Sequence, residues 1–214
     1  MALIGIITGD IVGSTNIVGE NRDLLLSLMK DLLAQNSVQG NDSTGIFRGD
    51  SFQIMMPYAS SAVKTAISIR SGLMFKTPTS FSSLWDARIS IGIGPEEYIG
   101  ENVGTSDGEA FRLSGRNLDE MKNSRLAIHT QIDTLNDELA VEVAFVDDII
   151  SHWTRNQAFV VHQFCGSYPP SRQEIAKQLM VSPQRVNQLY HSSKMPLLLP
   201  FFDRFESLIK SIIL

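Results

Sequence analysis

Residues 3–8 form a short, isoleucine-rich apolar run closed by turn residues, which predicts a buried strand. Leu24, Leu25, Leu28, Met29, Leu32 and Leu33 then recur at intervals of three and four, the spacing that stacks side chains on one face of a helix. The Gly40-Asn41-Asp42-Ser43 cluster breaks that period and leads into two more strand-like runs, residues 44–48 and 52–56. Their tight junction predicts a hairpin with Asp50 near its tip. Ala62, Val63, Ala66, Ile67, Leu73 and Met74 mark a second helix, and residues 88–92, with Ile89 and Ile91 on one face, mark another strand. The resulting βαββαβ order predicts an α+β fold, a ferredoxin-like sandwich whose helices cover one face of a largely antiparallel sheet.

Beyond this, residues 94–108 are rich in Gly, Pro and acidic side chains and read as a loop or short hairpin. Ala110, Phe111, Leu113, Leu118 and Met121 resume helical spacing, and residues 125–129 suggest a late strand, which closes a first domain over residues 1–131. Leu135, Leu139, Val143, Val146, Ile150 and Trp153 make one stripe on a connector helix, residues 132–153, that could also serve as a dimer surface. Residues 154–214 read as an all-α module whose first helix ends at Gly166-Ser167-Tyr168-Pro169-Pro170. Ser171 with Glu174 has the capping-box pattern, and Ile175, Ala176 and Leu179 are inward positions. Ser182 is an N-cap with Pro183 at the first helical position; Val186 and Leu189 then face inward, and Gln184, Arg185, Gln188 and His191 outward. This is a helix-turn-helix pattern. Phe201, Phe202, Phe205, Leu208, Ile209, Ile212 and Ile213 give the last helix a wide apolar stripe. The opposite charges Asp203, Arg204, Glu206 and Lys210 cancel, whereas a membrane-surface helix would be rich in Lys and Arg, so packing or dimerisation is expected.

Composition narrows the classes. Of 214 residues, 43% are hydrophobic and 19% charged, as in folded globular chains, not disordered ones. No apolar run approaches the ~20 residues needed to cross a bilayer, and the start lacks the basic region and cleavage site of a signal peptide, so a cytoplasmic protein without a membrane partner is expected. Cys165 is the only cysteine, which excludes an internal disulfide and suggests a buried, inert thiol. His129, His152, His162 and His191 show no metal-ligand spacing. The net charge of −5 is unevenly spread: six basic against three acidic residues over 166–214 make that part +3 and leave −8 on the rest.

Two segments carry candidate chemistry. If strands bring Asp10 beside Asp50, two carboxylates meet a glycine-rich loop, Gly9-Asp10-Ile11-Val12-Gly13-Ser14-Thr15, that opens a helix. Such an arrangement suits a divalent cation at Asp10 and Asp50 and a phosphate at Gly13, Ser14 and Thr15. The plainer readings are a helix cap for Asp10 and a turn carboxylate for Asp50. Arg112 and Arg116, at i and i+4, either reach an anion together or pair with Asp119 or Glu120. Asp107 with Gly108 reads as a turn into the next helix, or as a nucleotide contact of the kind that the cyclase resemblance given below implies.

These stretches, together with Arg48-Gly49-Asp50-Ser51-Phe52, Arg88-Ile89-Ser90-Ile91-Gly92, Gly104-Thr105-Ser106-Asp107-Gly108-Glu109-Ala110-Phe111 and Ser114-Gly115-Arg116, resemble the catalytic core of class III nucleotidyl cyclases over residues 1–130. The chain as a whole resembles the bacterial SatD family. The cyclase resemblance implies two Mg or Mn ions on Asp10 and Asp50, phosphates on the loop N–H groups, and a catalytic arginine at Arg116 if the protein is an enzyme. It also implies departures: Arg112 stands where cyclases have an asparagine, and Ile46 where a lysine reads adenine. The hairpin echoes that of diguanylate cyclases without its second glycine and glutamate. Phosphate and metal binding are thus expected to outlast base reading and catalysis.

Residues 174–186 resemble the helix-turn-helix of bacterial regulators, with Met180 in place of the usual turn glycine, at a cost of about 1 kcal/mol. That resemblance implies duplex DNA as a partner, with Gln184, Arg185 and Gln188 on base edges, Lys177 and Lys194 on phosphates, and a homodimer. A helical protein-interaction module is the other reading of the same residues. The expected function is a cytoplasmic transcriptional regulator in which a degenerate cyclase-like domain senses a nucleotide, phosphorylated small molecule or metal. An active metal-dependent cyclase or phosphohydrolase, and a non-enzymatic scaffold, are the alternatives.

Overall fold

The computed structural model describes residues 3–37, 43–166 and 168–213. The predicted breaker Gly40-Asn41-Asp42 and Ser167 lie outside those residues. Strand β1 (Leu3–Ile11), helix α1 (Glu20–Asn36), the hairpin β2 (Thr44–Phe47) and β3 (Ser51–Met56), helix α2 (Ala62–Lys76) and β4 (Ala87–Pro95) follow the expected order. Helix α3 (Glu109–Glu120), β5 (Leu126–Thr130) and α4 (Asp133–Ser151) complete the first part; α5 (Arg155–Cys165), α6 (Arg172–Leu179), α7 (Pro183–Ser192) and α8 (Met195–Ile213) complete the chain.

The sheet runs β2-β3-β1-β4-β5, with β1 antiparallel to both β3 and β4. β5 joins parallel to β4 through the α3 crossover. Arg48 and Gly49 both have positive φ, 52° and 79°, and the Asp50 N–H donates to the Phe47 carbonyl at 3.3 Å. That is the hairpin turn whose twist matches its strands, and it places Asp50 beside β1.

Side-chain alternation divides the sheet. Ile7, Ile11, Phe52, Ile54, Ile89 and Ile91 point into one core with Leu25, Leu28 and Leu32 of α1 and Ile67 and Leu73 of α2. Ile4, Ile6 and Met55 point the other way, against Ala110 and Phe111 of α3. Helices therefore cover both faces, because the β4–α3–β5 crossover must leave the side taken by α1 and α2. Gly92 makes this possible: a Cβ there would sit 2.1 Å from the Ala110 carbonyl oxygen. The interface is polar at its centre, where Thr8 Oγ1 meets Ser114 Oγ at 2.8 Å and accepts from Gln53 Nε2 at 3.0 Å.

The apolar stripe of α4 lies along β5 inside the main core, with Leu139 and Ile150 fully enclosed. The chain's own side chains fill that stripe, so it offers no dimer surface. Ala158, Val161 and Cys165 of α5 and Met195, Leu198, Phe201, Phe205 and Ile209 of α8 join the same core. Arg155 binds the carbonyls of Phe75, in the last turn of α2, and of Thr77 and Pro78 just beyond it, where a cation also meets the helix dipole. Arg204 ties α8 to Glu138 and Glu142 of α4.

A separate small core joins Val160 of α5, Ile175 and Ala176 of α6, and Val186 and Leu189 of α7. Helix α6 begins with the predicted capping box, Ser171 Oγ accepting from the Glu174 N–H and Glu174 accepting from the Ser171 N–H. It ends in a left-handed Met180, with Val181 N–H on the Ala176 carbonyl at 3.0 Å and Met180 N–H on Lys177 at 3.3 Å. This is a Schellman closure made without glycine. Ser182 then caps α7 through the Arg185 N–H.

Candidate functional site

β1 extends through Gly9 and Asp10 to Ile11, so these residues belong to the strand and not to the loop after it. The convergence expected of the two carboxylates is made by backbone: Asp10 pairs with Ser51 across the ladder, and the Ile11 N–H donates to the Asp50 carbonyl at 3.0 Å. Their side chains then take different partners. Asp10 lies on the α3 face, where cross-strand Arg88 grips it through Nε–Oδ1 at 3.0 Å and Nη2–Oδ2 at 2.5 Å. Arg88 also donates to the Met121 carbonyl at 3.1 Å, which anchors the guanidinium beneath the end of α3. Its hydrogen bonds to Asp10 outweigh partial burial and hold the Arg88 pKa above its ordinary value. Asp50 accepts from Ser14 Oγ at 2.7 Å.

The loop carries Gly13 at φ 66° into a short 3-10 turn, Ser14–Asn16, whose Asn16 and Ile17 N–H groups bond back to Gly13 and Ser14. Helix α1 starts only at Glu20, behind a second positive-φ glycine, Gly19, and its first turn carries Glu20 and Asp23. The glycine-rich loop therefore does not open the helix, and acidic residues occupy the helix end that would attract phosphate. Arg22 donates to the Ser14 carbonyl at 3.3 Å and lies against Gly49.

This arrangement does not fit a divalent cation. Both oxygens of Asp10 accept from the Arg88 guanidinium, and Asp50 is bonded to Ser14. A cation there would meet fixed positive charge at hydrogen-bonding range. Among the described residues no three His, Cys, Asp or Glu side chains gather as metal ligands.

Asp107 and Arg112 lie toward the far end of the sheet, whereas Arg116 sits in the half of α3 that runs from Ser114 over Thr8 to Met121 beside Arg88. Asp107 bridges to Tyr98, and α3 starts over Gly94, which pairs with Ile4, whereas Asp10 pairs with Arg88. Six residues of β1 separate those ends, roughly 20 Å. Arg112 is held there by Glu97, Asp107 and Glu109, each at 3.2 Å, and not by Asp119 or Glu120. Three carboxylates around one guanidinium leave it poorly placed for an anion. Arg116 is exposed and makes no ion pair among the described residues.

On the opposite face of the sheet lies a charged cluster that the sequence did not single out. Arg70, fully buried on α2, donates through Nε and Nη2 to Asp86 at 2.9 and 2.8 Å and through Nη1 to Asp147 of α4 at 2.6 Å. Arg125 Nη1 reaches Asp86 at 2.9 Å, and Asp147 accepts the Arg125 N–H at 2.7 Å. Burial pulls the Arg70 pKa down, but Asp86 and Asp147 together outweigh it and leave the group above its ordinary value. The Asp86 carbonyl accepts the Val12 N–H, which ties the cluster to the glycine loop. One available signal was a lone arginine inside the otherwise uncharged run 65–75. Arg88 too was legible in part, since strand alternation sets it on the face away from Ile89 and Ile91, while the β1–β4 register puts it opposite Asp10.

In the C-terminal helices, Gln184, Arg185, Gln188 and His191 are exposed along α7 while Val186 and Leu189 anchor it. Lys177 on α6 and Lys194, at φ 64° between α7 and α8, are exposed as well. Arg185 contacts Gln188 at 3.1 Å, and Arg172 bonds Asn187 and covers the Tyr190 ring. A cleft of about 630 Å³ between α1, α2 and the end of α5 contains none of the predicted site residues. Cys165 is buried and its thiol is pushed up to about 12, which makes it inert. None of the helices among the described residues is long and apolar enough to cross a membrane.

No family model and no curated protein matches the chain. Among solved structures, the active GGEEF domain of a diguanylate cyclase from Vibrio cholerae is similar at 19% identity, over 61% of this chain and 85% of that one, with a TM-score of 0.45.

Proposed function

We propose that this protein is a DNA-binding regulator of the SatD type, in which α7 enters the major groove and the α+β domain serves as a non-catalytic responsive body. The observation that carries this reading is the α6–turn–α7 unit: two capped helices on their own small core, joined by a three-residue turn and presenting Gln184, Arg185 and Gln188 outward. Amide and guanidinium groups spaced along an exposed helix face match the donor and acceptor pattern of base edges. Lys177 and Lys194 flank that face for phosphate contact, and the +3 charge of residues 166–214 supplies attraction despite the net −5. The Asp10–Arg88 pair argues against cyclase or phosphohydrolase chemistry at the sheet end, because the carboxylate needed for a metal already carries its counter-charge.

The test is binding of purified protein to a random pool of duplex DNA at low and moderate salt, with selection of enriched sequences. Enrichment is expected, with affinity falling steeply as salt rises. Arg185→Ala should relax or abolish selectivity, and Lys177→Ala should weaken all sequences alike. Absence of any duplex binding at low salt refutes the proposal and favours the protein-interaction reading.

A further inference from the structure

Both tryptophans of the chain, Trp85 and Trp153, line one cavity of about 400 Å³. Its walls come from five separate places: the glycine loop at Val12–Gly13, Met74 of α2, the segment before β4 at Phe81 and Trp85, Arg125 ahead of β5, and the α4–α5 junction at Ser151 and Trp153. This volume falls within the range of about 300–1,000 Å³ typical of small-molecule sites, as does the combination of aromatic walls with a few polar groups.

The charge available in the cavity is positive. Asp86 is 1% exposed, and its oxygens already accept from Arg70 and Arg125, so it offers nothing to a cation. Arg125 is 37% exposed and uses only Nη1 on Asp86; its Nε and Nη2 make no hydrogen bond among the described residues. A guanidinium with one edge fixed by a buried carboxylate and the other open is oriented in advance for a bidentate anion. The buried Asp86–Arg70 pair thus acts as the support that aims Arg125. A further polar group is unaccounted for: the Trp85 indole N–H, in a ring 3% exposed, has no acceptor. Buried indole donors usually find one. That nitrogen has less than 1 Å² of exposed area, so a ligand would reach it only through a shift of the Phe81–Trp85 wall.

We propose that this cavity binds a small aromatic anion, its ring against Trp85, Trp153 and Phe81 and its negative group on the outer edge of Arg125. The site is distinct from the Asp10–Asp50 sheet end and needs no metal. Trp153 donates its own Nε1–H to the Ser193 carbonyl at 3.0 Å, between α7 and α8. An occupant of the cavity therefore touches a ring hydrogen-bonded to the C-terminal helices. The inference goes beyond the DNA-binding reading, and its test uses no DNA, so either can fail without the other.

Because both tryptophans are in the wall, intrinsic fluorescence reads occupancy directly. The full chain is titrated with benzoate and, separately, with adenosine 5′-monophosphate, the two arms distinguishing a carboxylate from a phosphate source; cyclohexanecarboxylate and benzyl alcohol test the need for ring and charge. A saturable change is expected with at least one aromatic anion and little with either control. Arg125→Gln should weaken it about tenfold or more, the loss of a charged hydrogen bond. Asp86 keeps Arg70 and the Ala87 N–H in that variant, so the fold should persist. Val12→Phe, which adds bulk to the cavity wall and leaves the arginine in place, should weaken binding too, with circular dichroism confirming that both variants are folded. No saturable change with either anion, equal binding of cyclohexanecarboxylate, or binding unaffected in both folded variants overturns the proposal.

Discussion

Replacing Arg70 by alanine tests the buried cluster that supports both the core and the cavity wall. The guanidinium is 0% exposed and makes three charged hydrogen bonds to Asp86 and Asp147 and one to Ser151, all between 2.6 and 3.0 Å. Removing it leaves two carboxylates inside the protein with only Arg125, two backbone N–H groups and Ser151 to satisfy them. Breaking a buried ion pair from one side costs about 3–5 kcal/mol. Against a total stability of about 5–15 kcal/mol, that is a large fraction. Arg70→Lys keeps the charge but cannot span both acids with a planar fork, so an intermediate loss is expected. Arg70→Met combined with Asp86→Asn and Asp147→Asn removes charge from both sides and should recover much of the loss, because the penalty comes from unpaired carboxylates and not from a missing contact. Urea unfolding, followed by both far-ultraviolet circular dichroism and tryptophan fluorescence, measures each variant. If Arg70→Ala falls within about 1 kcal/mol of the parent, or the triple variant is as unstable as the single one, the reasoning about this cluster is wrong.

Met180→Gly should stabilise the chain by about 1 kcal/mol, seen as a higher urea midpoint, because Met180 sits at φ 54° and is 91% exposed, so strain is relieved with little burial lost. The parent protein should take up no Mn²⁺ at millimolar concentration by calorimetry, whereas Arg88→Met, which strips the counter-charge from Asp10, should bind it weakly; uptake by the parent that Asp10→Asn abolishes would refute the charge argument. Burial holds the pKa of His162 below its ordinary value of 6.5, and its Nδ1–H donates to the Ser68 carbonyl at 2.9 Å. The unfolded chain then binds the extra proton more readily, so this contribution is complete above pH 6.5 and is lost as pH falls through the lower folded value. The urea midpoint should decline over that window, and His162→Gln should flatten the decline.

Much of the backbone was legible from pattern alone. Three-to-four spacing at Leu25, Leu28 and Leu32 and alternation at Ile89 and Ile91 report which side chains must leave water, and that requirement is local and periodic. Caps were legible for the same reason: Ser171 with Glu174, and Ser182 before Pro183, satisfy N–H groups within a single turn. Arg48-Gly49 set the hairpin, and the ladder that followed brought Asp50 to Asp10 as expected.

What tertiary structure decided was the partner of each polar group. Asp10 pairs with Ser51, the residue after Asp50, yet Arg88 takes the Asp10 side chain and Ser14 that of Asp50, and those partners came from β4 and from the loop after β1. Asp107 and Arg112 read as neighbours of the glycine loop until the strand register placed them toward the other end of the sheet. Arg70, Asp86, Arg125 and Asp147, spread over 78 residues, meet because α2, α4 and two loops converge on one face. Periodicity specifies where a side chain points relative to its own element; which charge it meets there depends on elements far along the chain, and electrostatic complementarity of that kind leaves no local period to read.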